Sequence, residues 1–333
     1  MTMRRLAALG LFVAIAVTAP GVDAAADLRT GFVIVANQAS ASASLIDLDG
    51  DRARVLAVGD GPHEAVIAPS GRTAVVTIYG LAGKPGNGLA VVDVAKGVVT
   101  RTISLGEYVR PHGAWFLPGD ETRVAVTSEA TQRLVLVNLV SGEVEAAIPT
   151  GAAGSHMVAV TADGRRAFTS DVGTGAVSEI DLSAKALVRV IPVAPQVEGI
   201  AVTPDGREVW AGSNKDGTVS VIDTATGAIT ATLTGFTLPY RLAMSADGTT
   251  AIVCDPEANR IHVADVRARK VVWTLDDLGS PRGVNIAPDG RTAFVTLADD
   301  ETVGVIDLES RTLTRRIKVE HSPDGVWYGR APR

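Results

Sequence analysis

An all-β, seven-bladed β-propeller with four-stranded blades is the fold this sequence predicts, and three observations predict it. Asp-Gly pairs at Asp163, Asp205, Asp247 and Asp289 recur every 42 residues. An acidic or amide residue closing an apolar run recurs at Asp47, Asp93, Asn138, Asp181, Asp223, Asp265 and Asp307. The spacings are 46, 45, 43, 42, 42 and 42, so the unit occurs seven times. Beyond the first residues, no ten-residue stretch carries a convincing 3.6-residue apolar period. Four-stranded units of ~40–45 residues that must stack on neighbours to bury their apolar faces are propeller blades.

The composition agrees. Of 333 residues, 46% are hydrophobic, which supports a packed core and excludes general disorder. The 34 glycines point to many turns. One cysteine, Cys254, excludes an internal disulfide and a multi-cysteine zinc site. It sits in the apolar run Ala251–Asp255 and reads as a small buried residue. The net charge of −6 argues against a nucleic-acid partner.

The chain begins with a leader. Arg4 and Arg5 precede the twelve apolar or small residues Leu6–Val17, and Pro20-Gly21 leads to Ala24-Ala25-Ala26. Twelve residues are too few to span a bilayer, and the pattern is that of a secretory signal cleaved before Asp27. The expected organisation is a signal peptide over 1–26 and a single propeller domain over 27–333. The expected location is the periplasm or the exterior.

The fifth repeat shows the unit clearly. Gly199–Thr203 leads into the turn Pro204-Asp205-Gly206, followed by the runs Glu208–Gly212 and Thr218–Asp223. The turn Ala225-Thr226-Gly227 then opens the fourth run, Ala228–Leu233. The runs are β-branched and bounded by turn residues. At the start of the chain, Gly31–Asn37 matches a second strand, whereas Pro323–Tyr328 at its end matches a first strand. The C-terminal run is therefore expected to supply the inner strand of the N-terminal blade and close the ring.

The segment Val209–Asn214 followed by Thr218–Gly227 resembles the YVTN-type β-propeller repeat, as do Pro281–Gly290 and Ala293–Thr296. The Gly-His and Trp-Asp pairs of the WD repeat are missing. The resemblance implies a propeller and an exported compartment. It does not imply one activity, because exported binding proteins and propeller domains of redox enzymes share the repeat.

Superposing the repeats exposes a candidate site. Counting back from each Asp-Gly turn to the start of the inner strand gives His63, His112, His156, Glu198, Tyr240, Arg282 and, in the closing strand, Asp324. These seven side chains are expected to ring one mouth of the central channel. The next position reads Glu64, Gly113, Met157, Gly199, Arg241, Gly283 and Gly325, mostly glycine, which implies a crowded or specially bent backbone. Three of the five histidines fall in consecutive blades, so His63, His112 and His156, with Glu198 as a fourth ligand, form a candidate transition-metal site for Zn, Cu or Fe. Glu198, Tyr240 and Arg282 are the candidate catalytic groups. Arg241, Arg282, Asp324 and Arg110 are candidates for holding an anionic small molecule, and Asp324 can instead pair with Arg282.

Near the same mouth, the second strands end at Ser128, Asp171 and Asp255 among others, with Tyr79, Glu129 and Asn214 beside them. Asp171 and Asp255 are candidate partners for His or Arg. The segment Gly80–Gly88 reads as a longer loop, either a lid or a surface insertion. The expected function is binding of a small anionic ligand beside a divalent metal, with lyase, hydrolase or redox chemistry. The alternative is a non-catalytic scaffold for a partner protein.

Overall fold

The computed structural model describes residues 30–332. The leader assigned to 1–26 lies outside the described residues. Among these, twenty-eight strands form seven four-stranded antiparallel sheets arranged as a ring. No helix among them is long and apolar enough to cross a membrane.

The inner strands are β4 (Pro62–Ile67), β8 (Pro111–Leu117), β12 (Ser155–Val160), β16 (Val197–Val202), β20 (Arg241–Met244), β24 (Pro281–Ile286) and β28 (Pro323–Arg330). They pack side by side in cyclic order around the axis. Strand β28 pairs with β1 (Gly31–Asn37) in register from Phe32 opposite Gly329 to Val35 opposite Val326. The sheet continues through β2 (Ser42–Asp47) and β3 (Arg52–Ala57), so the two ends of the chain share the first blade as expected.

The repeat markers have a mechanical role. In the fifth blade Asp205 Oδ1 accepts the Arg207 N–H at 3.0 Å and the Thr203 hydroxyl at 2.6 Å, while Gly206 takes φ 69°. This fastens the first hairpin of the blade. The later marker caps the next turn: Asp223 Oδ1 accepts the N–H groups of Ala225 and Thr226, and Asn138 serves Val140 and Ser141 alike. The apolar residues on the two faces of each sheet pack into seven clusters, one at each junction of neighbouring blades. Fully buried Trp210, Phe168 and Phe294 are among the largest side chains in them. Cys254 is free and buried, as expected.

The glycines after the ring positions reflect crowding. A Cβ at Gly113 would lie 2.8 Å from the Met157 Cα in the next inner strand, and one at Gly325 would lie 2.7 Å from the Glu64 Cα. Side chain and glycine alternate around the ring from Glu64 to Gly283, and Gly325 then repeats the glycine.

Two expectations change. Gly80–Gly88 is no loop: β5 (Thr73–Leu81) and β6 (Lys84–Asp93) extend through it as a hairpin, with Leu81 opposite Lys84. A register shift between Ile78 and Gly80, with Gly80 at φ 89°, lets the ladder continue past a segment whose glycines read as irregular. Asp171 and Asp255 do not serve the ring. Asp171 accepts the Ser178 hydroxyl at 2.6 Å, and Asp255 accepts the His262 ring at 3.2 Å and three backbone N–H groups.

Asp171 is fully buried, and burial pushes its carboxyl up to about 6 although Ser178, Ser155 and Thr169 donate to it. The unfolded carboxyl titrates near 3.8, so the folded state keeps a proton that the unfolded chain has lost between about pH 4 and 6. Stability contributed by that proton is present below pH 4 and lost as pH rises through 6. The first blade shows the neutral solution, since Asn37 donates to Ser42 and Ser44 at 3.1 and 3.0 Å from the same strand position. Asp171→Asn is expected to stabilise the protein by about 1–3 kcal/mol at pH 7 and to flatten the stability profile between pH 4 and 6. Urea unfolding across that range measures both effects.

Candidate functional site

The mouth formed by the starts of the inner strands gathers the predicted ring into one network. His112, on β8, is 1% exposed, and neither of its ring nitrogens has a hydrogen-bond partner. Burial, with His156 and His63 alongside, holds its pKa well below the usual imidazole value, so it is neutral. Its ring lies over that of His156 with centroids 3.6 Å apart, and the His63 ring is 4.7 Å away on the other side.

His156, on β12, is gripped by two carboxylates. Nδ1 meets Glu129 Oε2 at 2.6 Å and Nε2 meets Glu198 Oε1 at 3.1 Å. Burial opposes a charge on this ring, but Glu198 and Glu129 outweigh it and push the pKa up to about 9. Glu198 answers in kind: burial alone raises a carboxyl, yet His156 and Arg241 hold it down to about 2. Glu129 follows β9 (Asp120–Ser128) and also accepts the Tyr79 hydroxyl at 2.9 Å.

Arg241 crosses the channel. Only 4% exposed, it donates Nη1 to Glu198 at 2.7 Å and Nε to Glu64 at 3.1 Å, with Nη2 3.0 Å from the same Glu64 oxygen. Its guanidinium also covers the Tyr240 ring at 4.3 Å. Burial drives the Tyr240 hydroxyl far above its ordinary pKa, aided by the Asp324 charge, so it stays neutral and can donate a hydrogen bond. Asp324, fully buried, pairs with His63 Nδ1 at 3.2 Å instead of with Arg282.

His63 is also engaged on its other nitrogen, where the Gln38 side-chain amide sits 2.8 Å from Nε2. An amide N–H donor there leaves the ring proton on Nδ1, facing Asp324. The chain of contacts runs on from Gln38 Oε1 to the Ser322 hydroxyl at 3.4 Å and then to Arg282 Nη1 at 3.2 Å. Arg110, held at φ 59°, stacks on Tyr79 at 4.6 Å and donates to the Leu81 carbonyl at 2.8 Å. It is therefore tied to the tip of the β5–β6 hairpin. His321 lies exposed against Glu301, away from this network.

One subset of these residues has metal-binding geometry. Single ligand atoms of His112, Glu129 and His156 all lie within 4.8 Å of one another. The predicted ligands His112 and His156 are thus joined by Glu129. His63 stands beside this trio with its nitrogens engaged by Asp324 and Gln38, and Glu198 stands behind His156. Glu129 is visible in the sequence beside a second-strand end, but the ring positions alone do not select it. Gln38 and the Glu64–Arg241 pair carry no motif at all.

Residues 240–333 match a family model described as YNCE-like beta-propeller. With the seven-bladed ring, the match is consistent with a YVTN-type propeller family. No curated protein sequence matches the chain. Among solved structures, a chain of Kuenenia stuttgartiensis hydrazine synthase superimposes with a TM-score of 0.73 at 19% identity, covering 87% of this chain and 99% of that one. At that identity the likeness is one of fold.

Arg241 removed from between its two carboxylates leaves Glu64 buried without its cation and Glu198 with His156 as its one remaining cationic partner. Arg241→Met is expected to cost about 3–5 kcal/mol at pH 7. Adding Glu64→Gln and Glu198→Gln to it is expected to recover most of that loss in denaturant unfolding. A cost below 1 kcal/mol would contradict the assignment.

Proposed function

We propose that this propeller, similar to YNCE-like propellers over residues 240–333, binds a divalent transition metal at the histidine mouth and a small anionic ligand beside it. The observation that carries the reading is His112. A buried imidazole with two unpartnered nitrogens is costly unless something accepts its lone pair, and Glu129 and His156 place further donors within 4.8 Å of it. Two imidazoles and one carboxylate suit Zn, Cu or Fe, and three protein ligands leave positions open for a ligand. A metal there would supply Lewis-acid polarisation of the bound ligand or activation of a water molecule.

The remaining residues have supporting roles on this reading. Glu198 orients His156 from behind, as carboxylates do for metal-bound imidazoles, and Arg241 fixes Glu198. Asp324 and Gln38 hold His63 in one tautomer at the edge of the site. Arg282 and Arg110 supply positive charge for the anion, and Tyr240 offers a hydroxyl proton. An exported location follows from the 1–26 leader on this reading, and lyase, hydrolase or redox chemistry would use the same groups.

Titration of the purified, chelator-treated protein with Zn(II) or Co(II), followed calorimetrically, is the test. One metal per chain is expected, with at least 100-fold weaker binding in His112→Ala and Glu129→Gln. His63→Ala is expected to change affinity by less than tenfold, because His63 lies outside the His112–Glu129–His156 cluster. Absence of stoichiometric binding in the parent protein, or unaltered binding in a folded His112→Ala variant, would overturn the reading.

A further inference from the structure

We infer that the opposite end of the channel is a second binding site, for one small, flat, apolar molecule. A cavity of about 670 Å³ opens there, lined by the far ends of the inner strands. Its walls are unequal. Trp115 of β8 and Trp327 of β28 stand on one side, with ring centroids 5.0 Å apart and planes nearly perpendicular. Ala201, Val202, Ala243, Met244 and Val284 line the other side, with Ala162 and Ala246 at the exposed rim. The lining is therefore largely apolar, with the two indoles as its largest flat surfaces. Its volume lies in the range that encloses most of a small-molecule ligand.

The polar side chains at this end of β16, β20 and β24 are already engaged, while Arg330 stands exposed at the rim. The Thr203 and Ser245 hydroxyls each donate to an aspartate of their own turn at 2.6 Å. Asn285 Oδ1 accepts the Tyr328 N–H at 3.0 Å, which leaves its amide hydrogens for a single acceptor. A ligand suited to this lining is largely apolar and presents a ring to the indoles. No described residue fills the space, since beyond Arg330 the chain turns outward and Pro332 lies beside Thr73 and Asp93. The inference is independent of the metal reading, because none of these residues belongs to the histidine mouth.

The neutral fluorophore N-phenyl-1-naphthylamine is a suitable probe. Saturable binding of one molecule per chain is expected, with enhanced probe emission and quenched tryptophan emission. Ala201→Leu and Ala243→Leu, which add bulk to the cavity wall, are expected to weaken binding at least tenfold in variants whose circular dichroism and cooperative unfolding show that they fold. His112→Ala is expected to leave binding unchanged. Should either core substitution prevent folding, Ala246→Leu at the exposed rim gives the same readout. Non-saturable uptake, several equivalent probe sites, or parental affinity in the folded leucine variants would each overturn the inference.

Discussion

The mouth of this ring is organised by a buried cation. Arg241 reaches from the sixth blade to Glu64 of the second and Glu198 of the fifth, so one guanidinium ties three blades together across the axis. Its position is costly in isolation, because a charge in a low-dielectric interior must be matched by well-placed partners. Once matched, it dictates the rest. Glu198 is held ionised and can clasp His156; His156 in turn faces Glu129; and the neutral His112 is left between imidazoles with no partner of its own. Removing charge at one point of such a network changes the protonation of its neighbours, so the site responds as a unit.

The same cation separates two environments. Its layer of the inner strands lies one residue beyond the histidine ring, and the next residues along those strands turn apolar toward Trp115 and Trp327. One channel thus has a charged, imidazole-rich entrance and an oily exit. Each end presents a different chemistry, with the ionic layer between them.

The architecture was legible because each marker does a local job. Asp205 and its equivalents close hairpins, and Asp223 and its equivalents cap turns, so the residues that reveal the period also build it. The ring of His63, His112, His156 and Glu198 was legible for a related reason: superposed repeats share a register, and register determines which residues reach the axis. The partners of those residues were not. Gln38 comes from a turn in the first blade, Glu129 from the end of a second strand, and Glu64 meets Arg241 from across the channel. Their roles depend on side-chain reach between blades, which no spacing records. The Gly80–Gly88 hairpin hid for the opposite reason, since its glycines read as punctuation although one register shift absorbs them.

The glycines behind the ring positions carry a consequence of parity. A side chain in one inner strand needs a bare backbone in the next, an alternation that an even-membered circle could complete and a circle of seven cannot. One mismatch must remain, and it falls between Gly283 and Gly325, at the joint where the last strand returns to meet the first. Two bare positions side by side are the forgiving form of that mismatch, because two bulky ones would collide. The mismatch thereby lies beside β28, the strand that completes the first blade and closes the ring. One blade more or fewer would make the count even, and the alternation could then close with no mismatch, so the paired glycines are a mark of the odd blade number.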